Sequence, residues 1–297
     1  MRCSLEQAPI TGAKRQVAYH RPASLAEAWE LHQATPGACY LGGGTDVMVR
    51  IRQRSLRPTA LISLSRIAEL GGIEPGEPTR IGALATVADV AAHPLVGERF
   101  PVLREAAELL GSQQIRNVAS IGGNLCNASP CADSALPLLV LGARLRVWCP
   151  AGSREVAIED FFVGPGKTCC QPGEILTSIL LDAPLPGTVG CFMKKGRVRM
   201  DLSLASVAML LQLDGTSCVR ARIAAGSVAP LPLRLRSAEA LLEGRTVTPT
   251  LLAEVRAASE AAVSPITDVR TTADYRRQMV GVFVQRAAER LLGWSHA

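Results

Sequence analysis

Two stretches of this chain set several glycines beside hydroxyl and carboxylate side chains. The first is Leu41-Gly42-Gly43-Gly44-Thr45-Asp46-Val47. The second is Ser120-Ile121-Gly122-Gly123-Asn124, followed by Asn127, Ser129 and Asp133. Successive glycines let the backbone approach a ligand closely and aim several N–H groups at one point, which suits a phosphate or pyrophosphate. The hydroxyls of Thr45 and Ser120 add donors for phosphate oxygens. Asp133 can accept hydrogen bonds from ribose hydroxyls, as carboxylates do in dinucleotide sites. Either stretch alone also reads as a plain tight turn. The pair, with its polar flanks, points to a dinucleotide held between two loops.

Other chemistries lack their residues. The four His stand at 20, 32, 93 and 296 without ligand spacing, and no Gly-x-Ser-x-Gly occurs. Gly164-Pro165-Gly166-Lys167-Thr168 looks like the end of a nucleotide-hydrolase phosphate loop. The glycine that such a loop needs at 161 is Phe161, and Pro165 removes an amide donor. The Gly42–Val47 stretch is not Gly-x-Gly-x-x-Gly, and no long helix is evident after it, which disfavours a Rossmann site. Cys126-x4-Cys131 begins like a plant-type ferredoxin signature, but its third ligand position is Ser134 and no Cys-x-x-Cys exists. The nine Cys therefore read as buried free thiols, with Cys126 and Cys131 as small packing residues. No metal ligands and no catalytic acid–base dyad or nucleophile are expected.

The elements that must position the glycine stretches are partly legible. Ser24 and Glu27 start a helix over 25–34 that Pro36-Gly37 ends. A strand over 39–41 runs into the first glycine stretch, and strands are expected at 60–64 and 80–83. Helices start at Thr86, with Asp89 three residues on, and near Pro101. Further strands fit 144–148 and 174–181. After Pro184-Leu185-Pro186-Gly187 the pattern changes to two long strands, 202–213 and 219–228, joined at Asp214-Gly215. Two helices follow, one opening at Thr248-Pro249 and one running over 272–292. Strands then helices in one block predict an α+β C-terminal domain.

Composition agrees. In 297 residues, 48% hydrophobic and 20% charged content describes an ordinary globular core, and no apolar run has the length of a membrane span. The start, Met1 to Ile10, lacks a secretory pattern, so a soluble, cytoplasmic protein is expected. Of 32 basic residues 28 are Arg, against 26 acidic residues. The Arg are scattered and not interleaved with aromatics, which argues against nucleic acid and fits an anionic ligand or acidic partner.

The chain resembles the FAD-binding subunit of the molybdenum hydroxylases, the xanthine dehydrogenase and carbon monoxide dehydrogenase group. The resemblance runs from Tyr19-His20-Arg21-Pro22-Ala23-Ser24 to the final helix. Its most specific stretches are Gly42-Gly43-Gly44-Thr45-Asp46, the run from Gln114 to Asn124 with Asn127-Ala128-Ser129-Pro130, the run from Asp160 to Thr168, and Pro172-Gly173-Glu174-Ile175-Leu176. The Gly-Pro-Gly-Lys-Thr element belongs to this pattern.

The resemblance implies an α+β protein. A two-part FAD-binding domain of the vanillyl-alcohol-oxidase/CO-dehydrogenase-flavoprotein (PCMH) type is followed by a C-terminal α+β domain. The expected divisions are 1–55, 56–185 and 186–297. It further implies that Leu41, Gly42, Gly43, Gly44, Thr45, Asp46 and Val47, with Ser120, Ile121, Gly122, Gly123 and Asn124, grip the FAD pyrophosphate. Asp133 falls beside the adenosine ribose, Leu176 near the flavin, and Lys194 at the flavin edge with Lys195 as the alternative. A cysteine-rich insertion for a 4Fe–4S cluster, present in benzoyl-CoA-type relatives, is missing, so FAD is the expected redox group. The implied partners are a molybdenum-cofactor large subunit, a 2Fe–2S small subunit and an external acceptor such as NAD+, oxygen or a quinone. The other readings are a self-sufficient FAD-dependent oxidoreductase acting on a small substrate, and a regulatory module that has lost electron transfer.

Overall fold

A computed structural model describes residues 17–294. The expectation drawn from Met1 to Ile10, and His296, lie outside the described residues.

The first unit contains β1 (Ala18–His20), α1 (Leu25–Ala34), β2 (Cys39–Leu41), α2 (Val47–Arg52) and β3 (Ala60–Ser63). Ser24 starts α1 by accepting from Glu27 N, while the Glu27 carboxylate accepts from Ala23 N. The three strands form a parallel sheet in the order β1-β3-β2. The central strand β3 is buried along its whole length, as a parallel strand covered on both faces must be. This sheet ends at Ser63, beyond the division expected near residue 55.

The second unit opens with two 3-10 turns and the short β4 (Ile73–Glu74), then β5 (Thr79–Gly82). A helical block follows: α3 (Val87–Ala92), α4 (Pro94–Arg99), α5 (Pro101–Leu109), α6 (Gln113–Arg116), α7 (Ile121–Cys126) and α8 (Ala135–Leu141). It closes with β6 (Arg144–Cys149), β7 (Gly152–Ala157), α9 (Ile158–Phe161), the hairpin β8 (Phe162–Gly164) and β9 (Lys167–Thr168), and β10 (Ile175–Leu181). The sheet order β4-β5-β10-β6-β7 places β10 at the centre, and all seven of its residues are buried. The phosphate-loop look-alike is the β8–β9 turn, tied down by Gly166 N donating to Ala128 O.

The third unit is an antiparallel sheet of β11 (Thr188–Lys195), β12 (Ala205–Asp214), β13 (Ser217–Gly226) and β14 (Leu233–Arg234). It is covered by α10 (Arg236–Leu242), α11 (Pro249–Ala261) and α12 (Ala273–Leu291), with β15 (Arg245–Thr246) pairing to β13. Thr248 caps α11 and Thr272 caps α12. One core lies beneath the sheet of the second unit and another between the C-terminal sheet and its helices. The helix α5 joins them: Glu105 accepts from the backbone N–H of Phe192 on β11 and pairs with Arg290 of α12.

Thr86 links the helical block to the second glycine stretch. Its hydroxyl accepts from Asp89 N at 3.0 Å, and the Asp89 carboxylate accepts from Thr86 N at 3.2 Å. Val87 N donates to Ala119 O and Ile121 N to Ala85 O, so the start of α3 fixes the entry to α7. Thr86→Ala is expected to lower stability by about 1 kcal/mol through the lost cap, seen as a lower urea midpoint with an unchanged slope.

Candidate cofactor site

A cleft of about 550 Å³ lies where the three units meet. The first unit contributes the loop between β2 and α2, the second contributes α7 and the start of β10, and the third contributes the end of β11 and the hairpin after it. Gly42 to Val47, Ser120, Gly122, Gly123, Asn124, Asp133, Leu176 and Lys194 all line it. Leu41 and Ile121 do not. The Leu41 side chain packs under Gly44, and Ile121 is a core residue.

The two glycine stretches touch. A Cβ on Gly43 would stand 1.8 Å from the carbonyl oxygen of Val118, and one on Gly42 would stand 2.8 Å from Ser120 Oγ. Glycine is required at Gly43 by this approach. At Gly44 it is favoured by a left-handed φ of +76°. Among the described residues, the N–H groups of Gly43, Gly44 and Thr45 donate to nothing in the chain. Three free amides in succession make a concave donor set for an anion.

The second stretch works differently from the loop that its glycines suggest. It is the first turn of a helix, with Ser120 as N-cap. Glycine is a poor helix former, but tight packing demands it: a Cβ on Gly122 would lie 2.7 Å from Ala83 Cβ. Ile121 N donates to Ala85 O, Gly122 N to Ala83 O and Asn124 N to Ser120 O. Those amides are therefore engaged. Only Gly123 N, held by the Ser120 hydroxyl at 3.2 Å, has a side-chain partner that a ligand oxygen can replace. The amide cradle belongs to the first loop. The second stretch supplies Ser120, Gly123 and the surface against which that loop rests.

Lys194 and Asp133 form a buried pair on the cleft wall. Lys194 Nζ lies 2.5 Å from Asp133 Oδ2 and donates to Leu109 O. Both side chains are almost fully buried, at 5% and 6% exposure. Burial lifts the Asp133 carboxyl to about 6, and the Lys194 charge offsets only part of that rise. Asp133 Oδ1 is buried without a partner. The geometry also separates the two lysines, because Lys195, one residue along the strand, is exposed.

Several wall residues carry no signal in the sequence. Arg50 lies one helical turn beyond Asp46, and both line the cleft. Burial raises the Asp46 carboxyl and Arg50 partly counters the rise. Met200 and Leu202, more than half exposed, form a lip from the hairpin between β11 and β12. Tyr40 donates to Gly173 O at 3.1 Å and so ties the first unit to the turn before β10. Cys126 and Cys131 line the cleft, and Cys126 is exposed rather than packed in the interior. Only Cys191 and Cys218 are buried among the described thiols. Among the described residues no group of three His, Cys, Asp or Glu is placed to hold a metal, and no helix is long and apolar enough to cross a membrane.

Comparison with known proteins settles the family. Residues 15–184 match the FAD binding domain in molybdopterin dehydrogenase, and residues 191–291 match the CO dehydrogenase flavoprotein C-terminal domain. This chain belongs to the FAD-binding subunits of the molybdenum hydroxylases. It is 34% identical over 274 residues to the carbon monoxide dehydrogenase medium chain of Afipia carboxidovorans, covering 92% of this chain and 95% of that one. It is 33% identical over 275 residues to a putative xanthine dehydrogenase FAD-binding subunit of Escherichia coli, covering 90% and 93%. The solved carbon monoxide dehydrogenase of Hydrogenophaga pseudoflava superposes with a TM-score of 0.91 at 32% identity, covering 95% of this chain and 99% of that one. The fold is thus α+β, a two-part FAD-binding domain followed by a C-terminal domain, and the chain is an oxidoreductase subunit whose cofactor is FAD. The free amides of Gly43 to Thr45 fit a pyrophosphate, and the unpartnered Asp133 oxygen fits a hydroxyl donor.

Proposed function

We propose that this chain is the electron-transfer subunit of a multi-subunit molybdenum hydroxylase. In this reading it receives electrons from the 2Fe–2S clusters of a small partner and delivers them to an external acceptor, while substrate is oxidised at a molybdenum cofactor on a large partner. The observation that supports it most is the state of the titratable groups on the cleft wall. Asp133, the most buried carboxylate there, is engaged in an ion pair with Lys194 and does not stand on the wall as a lone general base. A flavin, once bound, supplies the redox chemistry, and the protein supplies position and electrostatic setting.

The roles of the residues follow from their chemistry. The amides of Gly43, Gly44 and Thr45, with the hydroxyl of Ser120 and the N–H of Gly123, hold the pyrophosphate. Asp133 Oδ1 accepts from a ribose hydroxyl, and its other oxygen fixes Lys194 as a positive charge on the wall. Leu176, buried on β10, gives an apolar surface for a ring. Met200 and Leu202 limit water at the mouth of the cleft.

Isolation from the native source tests this reading. The chain is expected to carry oxidised-flavin absorbance and to copurify with two further chains containing molybdenum and iron. Complete turnover of a small substrate by the isolated chain would support the self-sufficient oxidoreductase instead. Bound flavin that the partner chains cannot reduce would make this a regulatory module.

A further inference from the structure

β11 is the edge strand of the C-terminal sheet, and its free edge lies against α5 of the second unit. Its side chains alternate. Cys191 and Met193 face the C-terminal core, whereas Phe192 packs into the core of the second unit and Lys194 lines the cleft. Two bonds tie this edge to the helix: Phe192 N donates to Glu105 Oε2 at 2.8 Å, and Lys194 Nζ donates to Leu109 O at 3.2 Å. Glu105 and Leu109 are one helical turn apart and share a face of α5. Four helical residues advance about 6.0 Å and two strand residues about 6.8 Å, so the two ties are in step. Arg290 of α12 fixes the Glu105 carboxylate, pairing Nη2 with Oε1 and Nη1 with Oε2.

Within its own sheet β11 pairs with β12 at every residue from Thr188 to Lys195 and needs nothing from α5. The seam between the two units has further ties, Ser227 N to Pro130 O and Arg222 Nη1 to Val140 O. Glu105 is therefore not what holds the units together. It sets how far along the helix the strand sits, and that decides whether Lys194 meets Asp133. Both of those side chains are buried, so the lysine has little freedom to follow the carboxylate by changing rotamer. We infer that Glu105 is a positioning residue for the cofactor site: by fixing β11 along α5 it keeps the Lys194 ammonium on the cleft wall beside Asp133. Glu105 itself does not line the cleft, so it acts through Lys194. The effect on the flavin rests on the function proposed above, in which Lys194 is a positive charge on that wall; the register rests on the hydrogen bonds alone. A cation near a flavin favours the form that carries the added electrons. Loss of register therefore lowers the flavin potential, whereas loss of the Glu105 negative charge by itself raises it.

Redox titration of the FAD-saturated protein against reference dyes tests this, with Lys194→Gln setting the scale by removing the charge. Glu105→Leu and Glu105→Ala, which remove the acceptor, should each lower the midpoint potential by most of that shift. Glu105→Gln keeps an oxygen that accepts from Phe192 N and should not lower it. Glu105→Leu added to Lys194→Gln should lower it no further, the non-additivity expected of one residue acting through another. The register is also read without flavin, in the pH dependence of stability. Lys194 holds down a carboxyl that burial lifts to about 6, and apart from Lys194 that carboxyl rises further. The fall in stability with rising pH should then extend above pH 6 in Glu105→Leu but not in Glu105→Gln. An unchanged potential in Glu105→Leu and Glu105→Ala, equal shifts in Glu105→Leu and Glu105→Gln, or a further fall in the double variant overturns the positioning role. If Lys194→Gln leaves the potential unchanged, the lysine drops out of the proposed function, and the pH window alone decides the register. A window in Glu105→Leu that ends where the wild-type one ends overturns it.

Discussion

Gly43→Ala is expected to purify without flavin. The added methyl would stand 1.8 Å from Val118 O, about half of an ordinary contact distance. The atom it meets is backbone, fixed by Val118 N and Ala119 N donating to Ile115 O. The β2–α2 loop must therefore move rather than its neighbour. That movement takes the amides of Gly43, Gly44 and Thr45 out of convergence. Hydrogen bonds to a charged group contribute about 1.5–3 kcal/mol each, so losing two costs at least about a hundredfold in FAD affinity. Gly42→Ala meets the Ser120 hydroxyl instead, a side chain that can rotate, and should cost roughly tenfold by the same arithmetic. Absorbance of the purified variants and fluorescence titration with FAD measure both effects, and circular dichroism shows whether the fold persists. Full flavin in Gly43→Ala would remove the loop from the site.

Lys194→Met should be the most damaging single change to stability on the cleft wall. It strands the Asp133 carboxyl, whose other oxygen already lacks a partner. Breaking a buried ion pair from one side costs about 3–5 kcal/mol, whereas replacing both partners is often neutral. Lys194→Met with Asp133→Leu should thus recover most of the loss in urea denaturation, though not the flavin affinity. The pair also sets a pH dependence. Burial holds the Asp133 carboxyl at about 6 in the folded protein, above its ordinary 3.8. Between those values the folded state keeps a proton that the unfolded chain has released. Stability therefore falls as pH rises through this window, by about 3 kcal/mol at most. Asp133→Asn should remove that slope. A wild-type stability curve no steeper between pH 4 and 6 than that of Asp133→Asn would show that the carboxyl is not raised.

Local signals carried much of the architecture. Ser24, Thr248 and Thr272 cap the helices expected after them, and Asp214-Gly215 turns between the two long strands. These features depend on a few neighbouring residues, so a single sequence displays them. The helical turn at Ser120 was harder to see, since Gly122 and Gly123 argue locally for a loop. For Gly122 the need is tertiary: Ala83, distant in the chain, leaves no room for a side chain, whereas a Cβ on Gly123 would meet only the nearby Ser120 hydroxyl. The same reason hid Arg50, Met200 and Leu202, whose place on the cleft wall depends on how three units meet. Asp133 stood out beside the second glycine stretch and Lys194 came from family resemblance, but their pairing across 61 positions of sequence has no local signature.

The cleft also dictates when the cofactor can be acquired. Its walls are drawn from Gly42, from Ser120, from Leu176 and finally from Lys194 to Leu202. During synthesis the amide cradle leaves the ribosome long before the lysine and the hairpin that close the far side. A nascent chain therefore has no complete berth for a flavin until the hairpin at Leu202 has emerged, so the flavin cannot be the nucleus around which the first two units fold.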